Sequence, residues 1–330
     1  MAMFLNGANK VTGVFANVNG ETKKIVSAWV NKDGLPCKVF SEGGSKRFVC
    51  VGSNGKSHYS LDGVTWFSMN GLESATYSGV TYGKDRFVCV GAKGRSYYSL
   101  DGETWVAMSG LESIVYKSVT YGDGRFVCVG FSGKSAYSLD GETWITMSGL
   151  SSDNYWSVTY GNGRFVCVGV SGIPAYSTDG VNWVTTNTLD TSAYFNGVTY
   201  GNGKFVCVGS DGKSYYSLDG VTWNPIGGLS SGIYQGVTYG KGRFVCVGNS
   251  NMSYSSIDAN PWISMKGLSL NSSYALDGVT YGNKRFVCVG SNGQSYYSSD
   301  GERWVAMNGL DSSVTYYGVC YSIDGGYNNS

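Results

Sequence analysis

The chain has 330 residues, among them 50 Gly, 26 Tyr and only 4 Pro, with 14% charged residues and a formal net charge of +1. So small a charge gives no long-range field to draw the chain to nucleic acid or an anionic membrane, and no run approaches the ~18 apolar residues of a membrane helix. Nucleic-acid binding and membrane insertion are therefore not expected. Gly supplies positive φ in tight turns and Tyr suits a half-buried pleat, so the composition predicts an all-β protein of many short strands. Met1 to Leu5 lacks the basic and apolar regions of a secretory signal, which predicts synthesis in the cytoplasm without a signal peptide.

Residues 1–46 carry their own short pattern: NGANKV from Asn6, NGETKKI from Asn19 and KDGLPCKV from Lys32. Each is a Gly-containing turn followed by a basic-apolar strand start, which predicts small β-hairpins forming an N-terminal appendage. The pattern resembles the short NG-x-x-KV repeats near the N-termini of phage and prophage tail-associated proteins. That resemblance implies an attachment segment that holds other virion or tail proteins, and a virion-associated location for the finished protein, a cytoplasmic one being the alternative.

From residue 47 a second repeat takes over. RFVCVG begins at Arg47, Arg86, Arg125, Arg164, Arg243 and Arg285, and KFVCVG at Lys204, a period of about forty residues. Each unit reads as four strands, for example 118–122, 125–130, 135–138 and 143–147, with a Gly turn after the first and an LDG turn after the third. Seven such units predict a seven-bladed β-propeller of four-stranded antiparallel blades over residues 47–330. The segment GVCYS at 318–322 is a first strand with no blade after it, and the unit at Arg47 lacks its first strand. Residues near Val319 should therefore pair with those near Val49, closing the ring and removing two open edges.

The LDG turns sit in a longer motif, YSLDGVTW at 59–66, with versions ending at Trp105, Trp144, Trp183, Trp223 and Trp304 and a divergent SIDANPW ending at Trp262. This resembles the Asp-box hairpin of sialidase-like (BNR-type) propellers, with one residue fewer between Asp and Trp. The resemblance implies the propeller fold; because the box is structural in that family, it implies no activity by itself. Residues present in every blade are best explained by the blade. The Trp should pack between blades, Asp62, Asp101 and their counterparts should bond turn amides, and Arg47 with its counterparts should share a solvated, self-neutralising face with those acids. Cys50, Cys89, Cys128, Cys167, Cys207, Cys246 and Cys288 occupy one strand position in separate blades. That places them beyond the ~5.5–6 Å Cα separation of a disulfide, so they read as buried free thiols suited to a reducing compartment. Cys37 and Cys320 fall outside the pattern.

A catalytic set is hard to assemble. Glycoside hydrolysis needs two carboxylates about 5–9.5 Å apart, and the off-pattern acids Asp153, Asp190, Asp277 and Asp311 have no evident partner, while Glu73 and Glu112 are near-copies of one another. The single histidine, His58, rules out a multi-histidine metal site and reads as a packed or surface side chain rather than a general base. No dinucleotide fingerprint or P-loop occurs. The expectation is a non-enzyme with no cofactor and no metal, a sialidase-like hydrolase being the weaker alternative.

The copies differ at particular columns. Two residues before the Val of each first strand stand Ser78, Lys117, Trp156, Asn196, Gln235, Asp277 and Tyr317. The neighbouring column is almost wholly aromatic: Tyr77, Tyr116, Tyr155, Phe195, Tyr234, Leu276 and Tyr316. Four residues before the Val, and again in the loop between second and third strands (Phe131 in the third blade, Val170 and Ile173 in the fourth), the units vary as well. In a propeller these segments converge on one face around the central channel, and aromatics interleaved with small polar residues have the chemistry of a paratope. The sequence thus predicts a recognition protein. Its ligand-binding residues would be Tyr77, Ser78, Tyr116, Lys117, Phe131, Tyr155, Trp156, Val170, Ile173, Phe195, Asn196, Tyr234, Gln235, Asp277, Tyr316 and Tyr317. Its partner would be a cell-surface glycan or protein receptor if it is a tail adhesin, or an intracellular protein if it is an assembly factor.

Overall fold

The computed structural model describes residues 46–322 together with four strands before them, Val14–Val18, Glu21–Ile25, Ser27–Lys32 and Leu35–Ser41. The chain divides into two compact units, Met1–Ser45 and Lys46–Ser330. In the first, Val14–Val18 pairs antiparallel with Glu21–Ile25, and Ser27–Lys32 with Leu35–Ser41. Asn-Gly and Asp-Gly separate the paired strands in sequence, the dipeptides that favour two-residue hairpins. The turn predicted at Asn6 lies outside the described residues.

The second unit is a ring of seven four-stranded antiparallel sheets. Blade 3 shows the pattern: Tyr116–Gly122, Arg125–Gly130, Ser135–Ser138 and Ile145–Met147, from the axis outward. Blade 1 takes its innermost strand, Tyr316–Tyr321, from the far end of the chain, with Val319 opposite Cys50 and Cys320 opposite Val49. Blades 2 to 7 follow in chain order, their innermost strands being Tyr77–Gly83, Tyr116–Gly122, Tyr155–Gly161, Phe195–Gly201, Tyr234–Gly240 and Leu276–Gly282. Each innermost strand packs on the next, and Tyr316–Tyr321 packs on Tyr77–Gly83, so the circle closes as the sequence predicts.

The repeated FVCVG run is apolar throughout because both faces of that strand are covered. In blade 3, Phe126 and Cys128 join a cluster with Val88 and Val90 of blade 2, while Val127 and Val129 join Phe165 and Cys167 of blade 4. All four blade 3 residues are fully buried, and at roughly 1.5–3 kcal/mol for each large apolar side chain this interdigitation is the main force joining blades. The Trp behaves as predicted: Trp144 packs on Val88 and Val90 and its indole N–H donates to Ser96 Oγ of blade 2 at 3.0 Å. The Asp turn does too. Asp179 Oδ1 accepts from the amides of Val181 (2.9 Å) and Asn182 (2.8 Å) and from Ser177 Oγ (3.0 Å), bonds that hold its carboxyl well below the usual range.

One expectation needs correction. The strand-two bases are not a solvated face. Arg47 is only 6% exposed, and Arg86 of blade 2 lies over the Tyr98 ring at 5.1 Å while its Nη1 reaches Glu142 of blade 3 at 2.8 Å. Lys204 and Asp258 pair likewise between blades 5 and 6 at 2.5 Å. A planar guanidinium can stack on a ring and still donate at its edge, so these residues clasp neighbouring blades together. His58 is a packed residue with two partners, Ser68 Oγ at 3.2 Å from Nε2 and Tyr316 Oη at 3.1 Å from Nδ1; burial lowers its pKa. The seven repeated cysteines and Cys320 are buried free thiols.

Candidate functional site

Near the start of every innermost strand the ladder loses step. Tyr116 pairs with Gly130 and Ser118 with Val129, leaving Lys117 as the extra residue of a β-bulge. The same slip isolates Ser78, Trp156, Asn196, Gln235, Asp277 and Tyr317 in the other blades. A bulge bends the strand and re-aims one side chain, and all seven bulged residues line a single cavity of about 170 Å³, the mouth of the central channel. The residue after each bulge is always Gly or Ser. A Cβ on Gly79 would stand 2.9 Å from Ser118 Cα, and one on Gly278 2.8 Å from the Tyr317 carbonyl oxygen. Where Ser does occur it is used: Ser118 Oγ accepts from Val158 N–H at 3.2 Å and Ser157 Oγ from Val198 N–H at 3.1 Å. Fixed small residues therefore set the neck, and the freely varying residue stands beside them.

The other variable columns lie on the same face. The amide of Phe131 donates to the Val115 carbonyl at 3.0 Å, Val170 to Asn154 at 3.1 Å and Ser210 to Tyr194 at 2.8 Å. Each second-to-third-strand turn is thus stitched to the segment entering its own blade. Across these columns Lys117 Nζ sits 5.5 Å from the centre of the Phe131 ring, and the Trp156 and Tyr194 rings are 6.2 Å apart. Gln235 Nε2 stands 3.5 Å from Asn249 Oδ1. Phe131, Val170 and Ile173 are half-buried. Tyr194 is 50% and Ile233 41% exposed; the sequence places both in a variable column without singling them out, their only signal being large apolar side chains where other blades have Thr or Ala.

The aromatic column does not face a ligand. Tyr77, Tyr116, Tyr155, Phe195, Tyr234 and Tyr316 are all 0% exposed. Successive strand residues point to opposite sides, and the residue before each bulge turns into the inter-blade core, as when Tyr116 packs with Val88 and Val90 of the preceding blade. Several of the hydroxyls are satisfied within the fold, Tyr155 by Ser151 Oγ at 2.8 Å and Tyr316 by His58. These six belong to the scaffold. Ser78, Lys117, Phe131, Trp156, Val170, Ile173, Asn196, Gln235, Asp277 and Tyr317 remain at the mouth or its rim.

The channel wall carries polar groups with nothing to bond. Asp277 Oδ2, Asn196 Oδ1 and Trp156 Nε1 are buried without a hydrogen-bond partner. Asn196 is 8% exposed, and its amide nitrogen is committed to the Tyr234 carbonyl at 2.9 Å. Burial pushes the Asp277 carboxyl up to about 7 against the opposing pull of Lys117. Burial in turn lowers the Lys117 pKa, with Asp277 resisting, yet no nitrogen–oxygen approach within 4.0 Å joins the two. The other off-pattern acids are engaged elsewhere: Asp153 with the Ser171 amide at 3.1 Å, Asp190 with Lys213 at 3.1 Å and Asp311 with Ser313 Oγ at 2.7 Å. Asp277 is thus the one carboxylate lining this cavity.

Comparison with known proteins adds the architecture. No protein-family model matches the chain, and no curated protein matches it in sequence. Solved structures do. YCF48 from Cyanidioschyzon merolae matches at TM-score 0.55 and 14% identity, covering 73% of this chain and 94% of that one. YCF48 bound to D1 peptide matches at 0.58 and 13%, covering 83% and 90%. A chain of a nidogen/laminin complex matches at 0.53 and 12%, covering 84% and 98%. At such identities the likeness shows a shared propeller fold.

Proposed function

We propose that this propeller is a non-catalytic recognition protein that binds a receptor, protein or glycan, on the face surrounding the channel mouth. One observation carries the reading: the single bulged position at which seven near-identical blades all differ is also the position whose side chains converge on one cavity. Relaxed loops on a scaffold would vary without converging. A lone channel carboxylate supports the non-catalytic reading, since the two-carboxylate chemistry of glycoside hydrolysis has no second acid there.

The hairpin-rich N-terminal segment supports a tail-associated adhesin held in a virion through residues 1–46. A second reading, an assembly factor gripping an intracellular protein, draws support from the solved propellers of this fold that are described with protein ligands, the D1 peptide for YCF48 and the nidogen/laminin complex. A glycan array and co-purification from the native host separate them: array binding supports the glycan adhesin, a stoichiometric protein supports the protein reading. In either case Trp156→Ala combined with Phe131→Ala is expected to weaken binding at least about tenfold while the protein stays folded, as for a truncated aromatic anchor. Unchanged binding by that double variant would overturn the assignment of this face.

A further inference from the structure

The unbonded groups of the channel are sorted by wall. Donor groups stand on adjacent blades 3 and 4, the half-buried Lys117 ammonium over the Phe131 ring and the unpartnered Trp156 indole N–H, whereas the unpartnered acceptors stand on blades 5 and 7, Asn196 Oδ1 and Asp277 Oδ2. Blades 3 and 7 lie three steps apart in one direction and four in the other, so in a ring of seven the cation and the carboxylate are nearly opposite.

We infer that the channel mouth is a binding site for a small zwitterion of the amino-acid type, its carboxylate turned to Lys117 and Trp156 and its ammonium to Asp277 and Asn196. The inference rests on the reading of this face as a binding surface and adds a ligand to it.

The charge pattern excludes simpler occupants. A lone cation would satisfy Asp277 but stand against Lys117, and a lone anion the reverse. A neutral sugar hydroxyl could bond the acceptors yet would leave the Lys117 ammonium, and above about pH 7 the Asp277 carboxylate, without a counter-charge in contact, which is costly for groups partly withdrawn from solvent. A zwitterion compensates both with no net charge. Size argues the same way: at about 170 Å³ the cavity is below the ~300–1,000 Å³ of pockets for drug-sized ligands, so it takes a group of few heavy atoms. Lys117 is not free to neutralise Asp277 by itself without giving up its place over the Phe131 ring at 5.5 Å.

The groups facing Asp277 are Lys117 and the Tyr317 phenol. An arriving ammonium favours the carboxylate, so the ligand should bind more tightly as pH rises through about 7 and release protons as it does so.

The test is calorimetric titration of the whole protein with glycine, β-alanine and γ-aminobutyrate, which differ in charge separation, with acetate, methylammonium and glycine betaine as controls. One zwitterion is expected to bind best, betaine weakly because its nitrogen has no N–H to donate, and the two singly charged controls weakest. Asp277→Asn and Lys117→Met should each weaken the best ligand about tenfold or more, as loss of a charged hydrogen bond does. The rim variants Val170→Ala and Ile173→Ala should leave it unchanged while lowering receptor binding, so the two readings fail separately. The zwitterion site is overturned if no zwitterion binds up to its solubility limit, if betaine or acetate equals the amino acids, or if both channel variants keep wild-type affinity.

Discussion

Asp277 shows at the level of one residue what the channel costs the fold. Its folded-state value of about 7 lies above the ~3.9 of an unfolded chain, so the native state holds the proton more tightly. Its contribution to stability is therefore fully present below about pH 4 and is lost as pH rises through about 7. Asp277→Asn, which cannot ionise, is expected to raise the melting temperature at pH 8 by several degrees and to change it little at pH 4; thermal melts at the two pH values check this. Equal shifts at both would mean that Asp277 is already paired in the native channel. A residue whose ionisation opposes folding where cells live is placed there by something other than stability.

At the scale of the element, the blade was largely legible and the bulge was not. The FVCVG run, the Gly turns and the Trp hairpin repeat so regularly that strand number and ring closure follow from the sequence, and Val319 does pair opposite Cys50. The burial of Tyr77 and its counterparts was hidden for a physical reason. They adjoin the most variable column and look like paratope aromatics, but a strand sends neighbours to opposite sides, and the bulge, which no residue pattern announces, gives the channel to Ser78 and sends Tyr77 into the core. The clasping role of Arg86 was likewise invisible, because its partner Glu142 belongs to another blade. Two substitutions test the element. Gly79→Ala places a methyl 2.9 Å from Ser118 Cα and should cost about 1–3 kcal/mol in denaturant unfolding, as overpacking does. Trp144→Ala, which opens a cavity between blades 2 and 3 and orphans Ser96 Oγ, should cost about 3–5 kcal/mol. A loss under 1 kcal/mol for Trp144→Ala would contradict its role as the packing element of that seam.

For the whole molecule, closure by Tyr316–Tyr321 joins the last described strand to the first blade, so the ring has no free inner edge. Deleting the chain from residue 312 onward is expected to expose the Phe48–Gly52 edge and the apolar surface of Val289 and Trp66 that packs with Tyr316. An unpaired edge of that kind recruits strands from other molecules, so size-exclusion chromatography should show oligomers or aggregates where the full chain runs as a single species. A truncated chain that stays the same size and melts at the same temperature would mean that six blades and an open seam suffice.

The bulged residue takes no part in the strand register on either side of it. Its identity can therefore be rewritten while the ladder stays intact, and the seven channel positions act like the wheels of a combination lock mounted on one invariant axle. A library randomised at those codons alone should yield mostly folded proteins that differ in the chemistry of their channel mouths, with the machine that carries them left unrebuilt.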